Sequence, residues 1–246
     1  MPSEITLILN ADDLGYDPAV TRGILRAMRE GVVTSTTLLV NTPHSEEAAR
    51  GAEGLAVGLH FNLARFPPVW ERFPRELLKN GELSESRAAD LPVEVVEAEA
   101  TAQLERCQRL LGRRPTHMDV HKHLHLNPSV LEGLARAAKR YGVPVRSIDA
   151  AMRAVLRRAD LLTNDHFIGD AGTAAYWTLE RFAHKVALLQ PGVTDLMCHP
   201  GYAPSHVKSG YAAQREVELA TLTDPRAREL LDRSGARLAD YSALAP

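Results

Sequence analysis

Six short segments of the chain are almost continuously apolar, and longer stretches of mixed character separate them. Strands with one face in water alternate apolar and polar residues, whereas strands that are covered on both faces are apolar throughout. The pattern therefore predicts a parallel sheet that is covered by helices. The expected strands are ITLILN (5–10), STTLLV (35–40), LAVGLHF (55–61), PTHMDV (115–120), VPVRSI (143–148) and VTDLMC (193–198).

Three of the intervening segments repeat apolar residues at helical spacing between start and stop signals. A proline stands in the first turn of each, where its fixed φ suits a helix, and a glycine follows each end. The helices are expected at 18–30, with Asp17 as cap and Gly31 at the end, at about 92–111, followed by Gly112, and at 128–141, with Asn127 as cap and Gly142 at the end.

Strands that alternate with helices over short connections are typical of α/β proteins, and 246 residues is the size of one α/β barrel. No linker divides the chain, so we expect a single domain over residues 1–246. A barrel is the first choice for its fold, and an open doubly wound sheet is the second. Two longer connections, 61–92 and 164–177, are rich in aromatic residues, which suits either substrate contact or packing over the mouth of the barrel.

Composition changes this picture only by excluding some partners. A formal net charge of −2 gives no electrostatic basis for binding nucleic acid or an anionic membrane. The N-terminal MPSEITLILNADD is not typical of a signal peptide, and no apolar stretch has the length of a membrane span. Cys107 and Cys198 are expected to be buried thiols. We therefore expect a cytoplasmic protein.

Most of the predicted strands end in an ionisable residue. Parallel strands bring their carboxyl ends to one edge, where α/β folds bind ligands, so these residues are expected to meet. They are Asp12 and Asp13 after the first strand, His60 at the end of the third, Asp119, His121, His123 and His125 at and after the fourth, Arg146 in the fifth, and His199 after the sixth.

Imidazole and carboxylate groups together are typical ligands of a divalent metal ion. In THMDVHKHLH the histidines lie two residues apart, so any extended part of this segment directs them to one side. Any one histidine alone also fits a surface or core position, and the adjacent Asp12 and Asp13 alone fit a helix N-terminus or an Asx turn. Together with His60 they predict a metal site, in which one aspartate binds the ion and its neighbour takes a proton from bound water.

Five motifs, in this order along most of the chain, resemble the YdjC-like family, which includes the chitooligosaccharide deacetylases. They are LNADDLG (9–15), EGVVTSTTLLVN (30–41), VGLHFNL (57–63), PTHMDVHKHLH (115–125) and CHPG (198–201). The resemblance implies a deformed (β/α) barrel related to the polysaccharide deacetylases. It also implies a divalent metal held by Asp-His-His, and hydrolysis of the N-acetyl group of an amino sugar or acetylated oligosaccharide.

Carried over onto this sequence, the resemblance assigns the metal to three residues, Asp13, His60 and His121. It implies Mg²⁺ or Zn²⁺, with Mn²⁺ or Co²⁺ as further options, and a small carbohydrate as substrate; a homodimer stays open. The family often has a second consecutive histidine where this chain has Lys122, which changes the charge beside the site.

The catalytic roles that follow are Asp12 as general base, His199 or His125 as general acid, and Arg146 to orient the base. His123 and the aromatic residues of the long connections are candidates for substrate contact, namely Phe61, Trp70 and Trp177.

Two other classes of protein remain open. A metal-dependent amidohydrolase or phosphoesterase barrel would account for the HKH and HLH pairs, although such pairs usually follow the first strand, which here ends in Asp-Asp. The other is a sugar-binding or metal-storing barrel that has lost catalysis, although storage has no use for an additional base and acid.

Overall fold

The centre of the structure is a sheet of seven strands, seen in a computed structural model that describes residues 4–244. The strands are β1 (Ile5–Leu14), β2 (Ser35–Leu38), β3 (Val57–Phe61), β4 (Met118–Val120), β5 (His166–Ile168), β6 (Gly192–Cys198) and β7 (Arg237–Leu238). The helices are α1 (Pro18–Glu30), α2 (Ser45–Gly51), α3 (Val93–Leu111), α4 (Pro128–Tyr141), α5 (Ala150–Arg158), α6 (Leu179–Val186), α7 (Ala213–Leu222) and α8 (Pro225–Ser234).

Every pairing between these strands is parallel, and the order across the sheet is β4-β3-β2-β1-β6-β5. The short β7 pairs with β1 at Thr6 and Leu7. Strands β2, β3 and β4 are buried at every position, as the continuous apolar runs predict. The expected barrel class is confirmed in the form of a curled, parallel half-barrel with helices outside it.

The sheet is irregular between β4 and β5. VPVRSI was expected to be a strand here, and this prediction is wrong, because the segment forms only one bridge, between Val145 and Met118. Pro144 has no N–H to donate and can only accept, from the Met118 N–H at 2.8 Å. Arg146 returns one bond to the Met118 carbonyl at 2.9 Å. These two hydrogen bonds, and not a continuous ladder, therefore join this segment to β4.

Other strand bounds also differ from expectation: β2 ends at Leu38 and not at Val40, β3 begins at Val57 and not at Leu55, and β4 begins at Met118 and not at Pro115. Strand β1 continues past Asn10 to Leu14, so that Asp12 and Asp13 lie within it rather than after it. The connection 164–177 contains β5, whose three residues pair with β6. A three-residue strand is too short to leave a recognisable pattern in the sequence.

The predicted helices are confirmed, with one difference in how they begin. The Asp17 side chain caps α1 by accepting from the Ala19 N–H at 2.8 Å. Asn127 stands at the start of α4 but does not cap it, since its side-chain amide donates to the Leu124 carbonyl at 3.0 Å instead. Gly142 ends α4 at a φ of 61°, a conformation that favours glycine.

The loop after β6 lies directly against α1. A Cβ on Gly23 would lie 2.4 Å from the Cα of Gly201, so only glycine permits this approach. The Gly201 N–H then donates to the carbonyl of Arg215 in α7 at 3.2 Å. The close contact thus fixes both the loop and α7 beside the carboxyl end of β1.

Both cysteines are buried free thiols, as expected. Within residues 4–244, the helices are all too short or too polar to cross a membrane.

Candidate metal centre and active site

A break in the regular backbone of β1 lets two adjacent carboxylates face the same cavity. The register with β2 shifts between Ala11 and Leu14, and Asp13 has a φ of 76°. Neighbouring residues of a regular strand point to opposite faces, but this irregularity lets Asp12 and Asp13 line the same cavity. A left-handed φ is uncommon for a residue other than glycine and is typical of a functional position.

Three buried side chains meet beside this break. The Oδ1 of Asp13 lies 3.2 Å from His60 Nε2 and 3.1 Å from His121 Nδ1, and the two nitrogens are 3.1 Å apart. Metal–ligand bonds of about 2.0–2.2 Å place neighbouring ligand atoms roughly 3 to 3.5 Å apart. Among residues 4–244, Asp13 Oδ1 receives no hydrogen bond in spite of its burial. The triangle therefore fits a divalent ion, and it consists of the three expected ligands.

A carboxylate behind His60 orients its ring. Asp119 Oδ1 lies 2.6 Å from His60 Nδ1, which places a proton on that nitrogen and leaves Nε2 free to bind a metal. Burial lowers the pKa of His60, but Asp119 and Asp13 outweigh it and raise this pKa to about 10. Burial lowers the pKa of His121, in spite of Asp13. In the absence of a cation, therefore, it is a proton on His60 that offsets the surrounding negative charge.

Arg146 holds Asp12 from the other side. Its Nη1 donates to Asp12 Oδ2 at 2.7 Å and its Nη2 to Asp12 Oδ1 at 2.9 Å, so the pair is bidentate and fully buried. Burial raises the pKa of Asp12, but Arg146 outweighs it and holds the pKa below its ordinary value. The same guanidinium contacts Asp119 at 2.9 Å and Asp195 at 2.7 Å. Arg146 thus stands where the role of orienting the base requires it.

A second acidic group lies next to the first but does not suit a metal. Oxygens of Asp12 and Asp119 and a nitrogen of His60 lie within 4.8 Å of one another. Arg146 already bonds both carboxylates, so a cation there would face a guanidinium at hydrogen-bonding distance. Electrostatics therefore favours the site formed by Asp13, His60 and His121.

The ion pairs of Arg146 and Arg215 form a buried cluster whose formal charges leave room for one divalent cation. Four carboxylates surround two guanidinium groups, which gives a formal balance of −2 when the histidines are neutral. Burying unpaired charge is costly, and a divalent ion would bring the balance to zero. The carboxylates are those of Asp12, Asp13, Asp119 and Asp195, and the guanidinium groups are those of Arg146 and Arg215.

A cavity of about 560 Å³ opens over the triangle. Its wall carries His123 and His199, together with the aromatic rings of Tyr16 and Tyr211. The His199 ring meets Tyr211 edge-on at 5.4 Å, and the His199 backbone N–H donates to Glu218 at 2.6 Å. The cavity is large enough for a sugar ring beside the candidate metal site.

His123 lines the cavity, as its proposed contact with substrate requires. Burial lowers its pKa to about 4, so its ring is neutral near pH 7. Lys122 and His123 both have left-handed backbone conformations, with φ of 57° and 52°. This double turn directs His121 and His123 toward the cavity, while His125 is buried away from its lining. His125 is therefore poorly placed to act as an acid.

The aromatic candidates do not reach the cavity. Phe61 and Trp177 are completely buried in the core, and Trp177 donates its indole N–H to the Met197 carbonyl at 2.7 Å. Trp70 is half-buried and packs edge-on against Phe73 at 6.3 Å. The expectation that Phe61 and Trp177 stack on substrate is corrected, because neither ring has a face open to a ligand. In the connection 61–92, Arg65 and Glu85 line the cavity instead.

Sequence reasoning missed several residues that complete the site. Asp119 was grouped with the polar strand ends but given no role, although it orients His60. Asp195, inside the apolar run VTDLMC, gave a usable signal, because a buried carboxylate needs a partner. No such signal marks Arg215, which pairs with Asp13, or Tyr241, whose hydroxyl donates to Asp195. Each comes from a segment with ordinary surface composition.

Comparison with known proteins identifies the family. The family model described as YdjC-like protein matches residues 6–233. The chain belongs to the YdjC-like family. It is 38% identical to a carbohydrate deacetylase of Geobacillus stearothermophilus, over 95% of this chain and 96% of that protein. It is 32% identical to a chitooligosaccharide deacetylase of Escherichia fergusonii, over 97% of this chain and 98% of that protein.

Solved structures share the fold of this chain. A protein of Enterococcus faecalis V583, provisionally named a cellobiose-phosphate cleavage protein, superposes with a TM-score of 0.87 and 30% identity. The match covers 99% of this chain and 100% of that one. A family 4 acetyl xylan esterase of Clostridium thermocellum, solved with a cobalt ion, matches at a TM-score of 0.55 and 13% identity, over 97% and 89% of the two chains. At that identity the second likeness shows the fold alone.

Proposed function

We propose that this YdjC-like protein is a metal-dependent carbohydrate deacetylase that removes the acetyl group from the nitrogen of an amino sugar. The observation that carries the proposal is the triangle of Asp13, His60 and His121 with the ionised Asp12 beside it. Nearly full-length relatives with deacetylase names support the reaction class. Asp13, His60 and His121 would hold the cation, which would supply polarisation of the acyl oxygen and a lower pKa for a water molecule.

Asp12 takes the proton of the attacking water. Its low pKa makes it a weak base, so it requires a water molecule that has been acidified nearby. Arg146 and the Asn10 side-chain amide, which donates to Asp12 Oδ1 at 2.9 Å, keep the carboxylate in one orientation. Fixed orientation lets proton transfer proceed without rearrangement of the site.

His199 delivers a proton to the departing amine. An amine leaves poorly as an anion, so the C–N bond breaks only when its nitrogen is protonated. His199 lies on the wall of the cavity, and its Nδ1 finds no hydrogen-bond partner in the described part of the chain. This leaves the ring nitrogens free for proton transfer, whereas His125 lies outside the cavity.

The test is release of acetate by protein loaded with Mg²⁺, Zn²⁺, Mn²⁺ or Co²⁺. The substrates are N-acetylglucosamine and its β-1,4-linked disaccharide, and release of phosphate from a sugar phosphate serves as the comparison. We expect Asp12→Asn to retain metal and to lose about a hundred- to ten-thousand-fold in kcat. Phosphate release without acetate release would favour a phosphoesterase. Sugar binding with neither product, in metal-loaded protein, would favour a non-catalytic barrel.

The metal assignment has its own control. A variant with Asp13→Ala, His60→Ala and His121→Ala together is expected to bind no metal at a stoichiometry that elemental analysis detects. Full occupancy in that variant would refute the assignment of these ligands, whatever the activity of the protein.

A further inference from the structure

Arg215 is held firmly next to the candidate metal centre. Its Nη2 forms a buried ion pair with Asp13 Oδ2, and its Nε donates to the Tyr211 carbonyl at 2.9 Å. Its guanidinium carbon lies 5.7 Å from the Tyr16 ring and 5.9 Å from the Tyr211 ring. The side chain is only 3% exposed. A guanidinium fixed by four groups has little freedom to move, so it can fix whatever it binds.

The two oxygens of Asp13 have different surroundings. Oδ1 faces His60 and His121 at 3.2 Å and 3.1 Å, whereas Oδ2 is bound to Arg215. A carboxylate can bind a cation through one oxygen or through both. Arg215 thus holds Oδ2, while Oδ1 is the oxygen turned toward the two histidines.

We propose that Arg215 is a positioning residue that restricts Asp13 to binding the metal through one oxygen. The coordination position that the second oxygen would take then stays open for water or for the acyl oxygen of the substrate. This inference rests on the metal site of the proposed function and adds a residue that acts through Asp13.

The backbone of Asp13 cannot impose this restriction by itself. Its left-handed φ sets the direction in which the side chain leaves the chain, but rotation about the bond to the carboxyl group is broad and roughly two-fold. An external donor is therefore needed to hold one oxygen away from the ion. Arg215 is such a donor, and catalytic metal sites require an open position whereas structural sites do not.

The charge of Arg215 supports a role in catalysis over a role in affinity. A cation bound to a metal ligand repels the metal, so a site built only for tight binding would be better without it. The arrangement thus gives up some affinity and keeps one oxygen of Asp13 free to face the two histidines.

The experiment compares the visible absorption spectrum of the Co²⁺-loaded full-length protein with the spectra of its variants. The intensity of Co²⁺ absorption falls as the coordination number rises. We expect Arg215→Met to bind one equivalent of Co²⁺ with weaker absorption, because Asp13 now binds through both oxygens. Its kcat should fall by roughly ten- to a hundred-fold, the usual effect of removing a group that orients a ligand. Arg215→Lys keeps a cation at Oδ2 and should recover the spectrum and most of the rate.

Arg65 provides a matched control. It lines the same cavity and stacks on the same Tyr16 ring at 5.4 Å, but it donates to the Tyr16 hydroxyl rather than to a candidate metal ligand. Arg65→Met should leave the Co²⁺ spectrum unchanged. An Arg215→Met spectrum identical to that of the wild type would overturn the proposal, and so would an equal change in Arg65→Met.

Two further results separate the possible failures. If excess Co²⁺ restores the full rate of Arg215→Met, Arg215 only maintains affinity and the proposal is wrong. If the wild type releases no acetate but the spectrum changes as expected, the deacetylase assignment fails and the role of Arg215 stands.

Discussion

Replacing Arg146 by methionine tests the electrostatic arrangement of the site most directly. Methionine keeps much of the side-chain volume but removes the guanidinium that bonds Asp12, Asp119 and Asp195. All four side chains are essentially buried, so solvent cannot replace the lost partner. The variant would leave three carboxylates close together without their common counter-charge.

The magnitude follows from that burial. Removing one partner of a buried ion pair typically costs about 3–5 kcal/mol, and the whole free energy of unfolding of a domain is about 5–15 kcal/mol. For a chain of this size, 1 kcal/mol shifts the Tm by about 2–4 °C. We therefore expect Arg146→Met to lower the Tm of the metal-free protein by roughly 6–20 °C.

The effect should also depend on pH. Burial raises the pKa of Asp119 and Asp195, so these groups can take up protons at low pH and remove part of the repulsion. The loss of stability should therefore be smaller at pH 5 than at pH 8 in urea unfolding with EDTA. Arg136→Met is the control, because Arg136 is exposed and pairs with Glu132 on the surface, where little change is expected. Equal losses in both variants, or a loss independent of pH, would refute the arrangement.

Three further predictions concern single side chains. Asp119→Asn should raise the Kd for Zn²⁺, measured by calorimetry, by roughly ten- to a hundred-fold, because His60 loses the carboxylate that orients it. An unchanged Kd would contradict this role of Asp119. His199→Gln should slow hydrolysis of an N-acetyl amide more than that of an acetyl ester with a good leaving group, which needs no proton, and equal losses would count against the acid role. The metal-free protein should lose stability as the pH falls from about 6.5 to about 4. The pKa of His123 is about 4 in the folded state and near 6.5 in the unfolded state, so the unfolded state binds more protons in this range. Burial likewise lowers the pKa of His125. His125→Gln should therefore reduce the change of the unfolding free energy with pH, measured by urea unfolding, by up to about 1.4 kcal/mol per pH unit. If that pH dependence were unaltered, His125 would not be buried in its neutral form.

The sequence predicted those parts of the fold that local physics determines. Apolar runs located five of the six expected strands, because strands covered on both faces exclude polar residues. The wrongly predicted strand, VPVRSI, is also apolar, but Pro144 has no N–H to donate to a neighbouring strand and the Arg146 side chain is bound to Asp12 in the site. Here a tertiary requirement overrides the local preference.

The candidate site was predictable to the extent that its residues mark strand ends. Asp13, His60 and His121 come together because the carboxyl ends of neighbouring parallel strands share an edge. Arg215 was not predictable, because an arginine in AQREVELATL has the composition of an exposed helix. The prediction that aromatic residues contact the substrate was wrong for a related reason. Composition shows that a connection is apolar, but it does not show that the Trp177 side chain points into the core.

The order of the strands divides the site into two functional parts. His60 and His121 come from β3 and from the end of β4, on one side of β1, while His199 and Arg215 come from segments that follow β6, on its other side. The backbone break in β1 places Asp13 with the first group and Asp12 between the two. Changes on the β3–β4 side should therefore alter metal affinity, whereas changes on the β6 side should alter turnover at full metal occupancy. That separation depends on the position of β1 between the two groups, because a carboxylate pair on an edge strand would face only one of them.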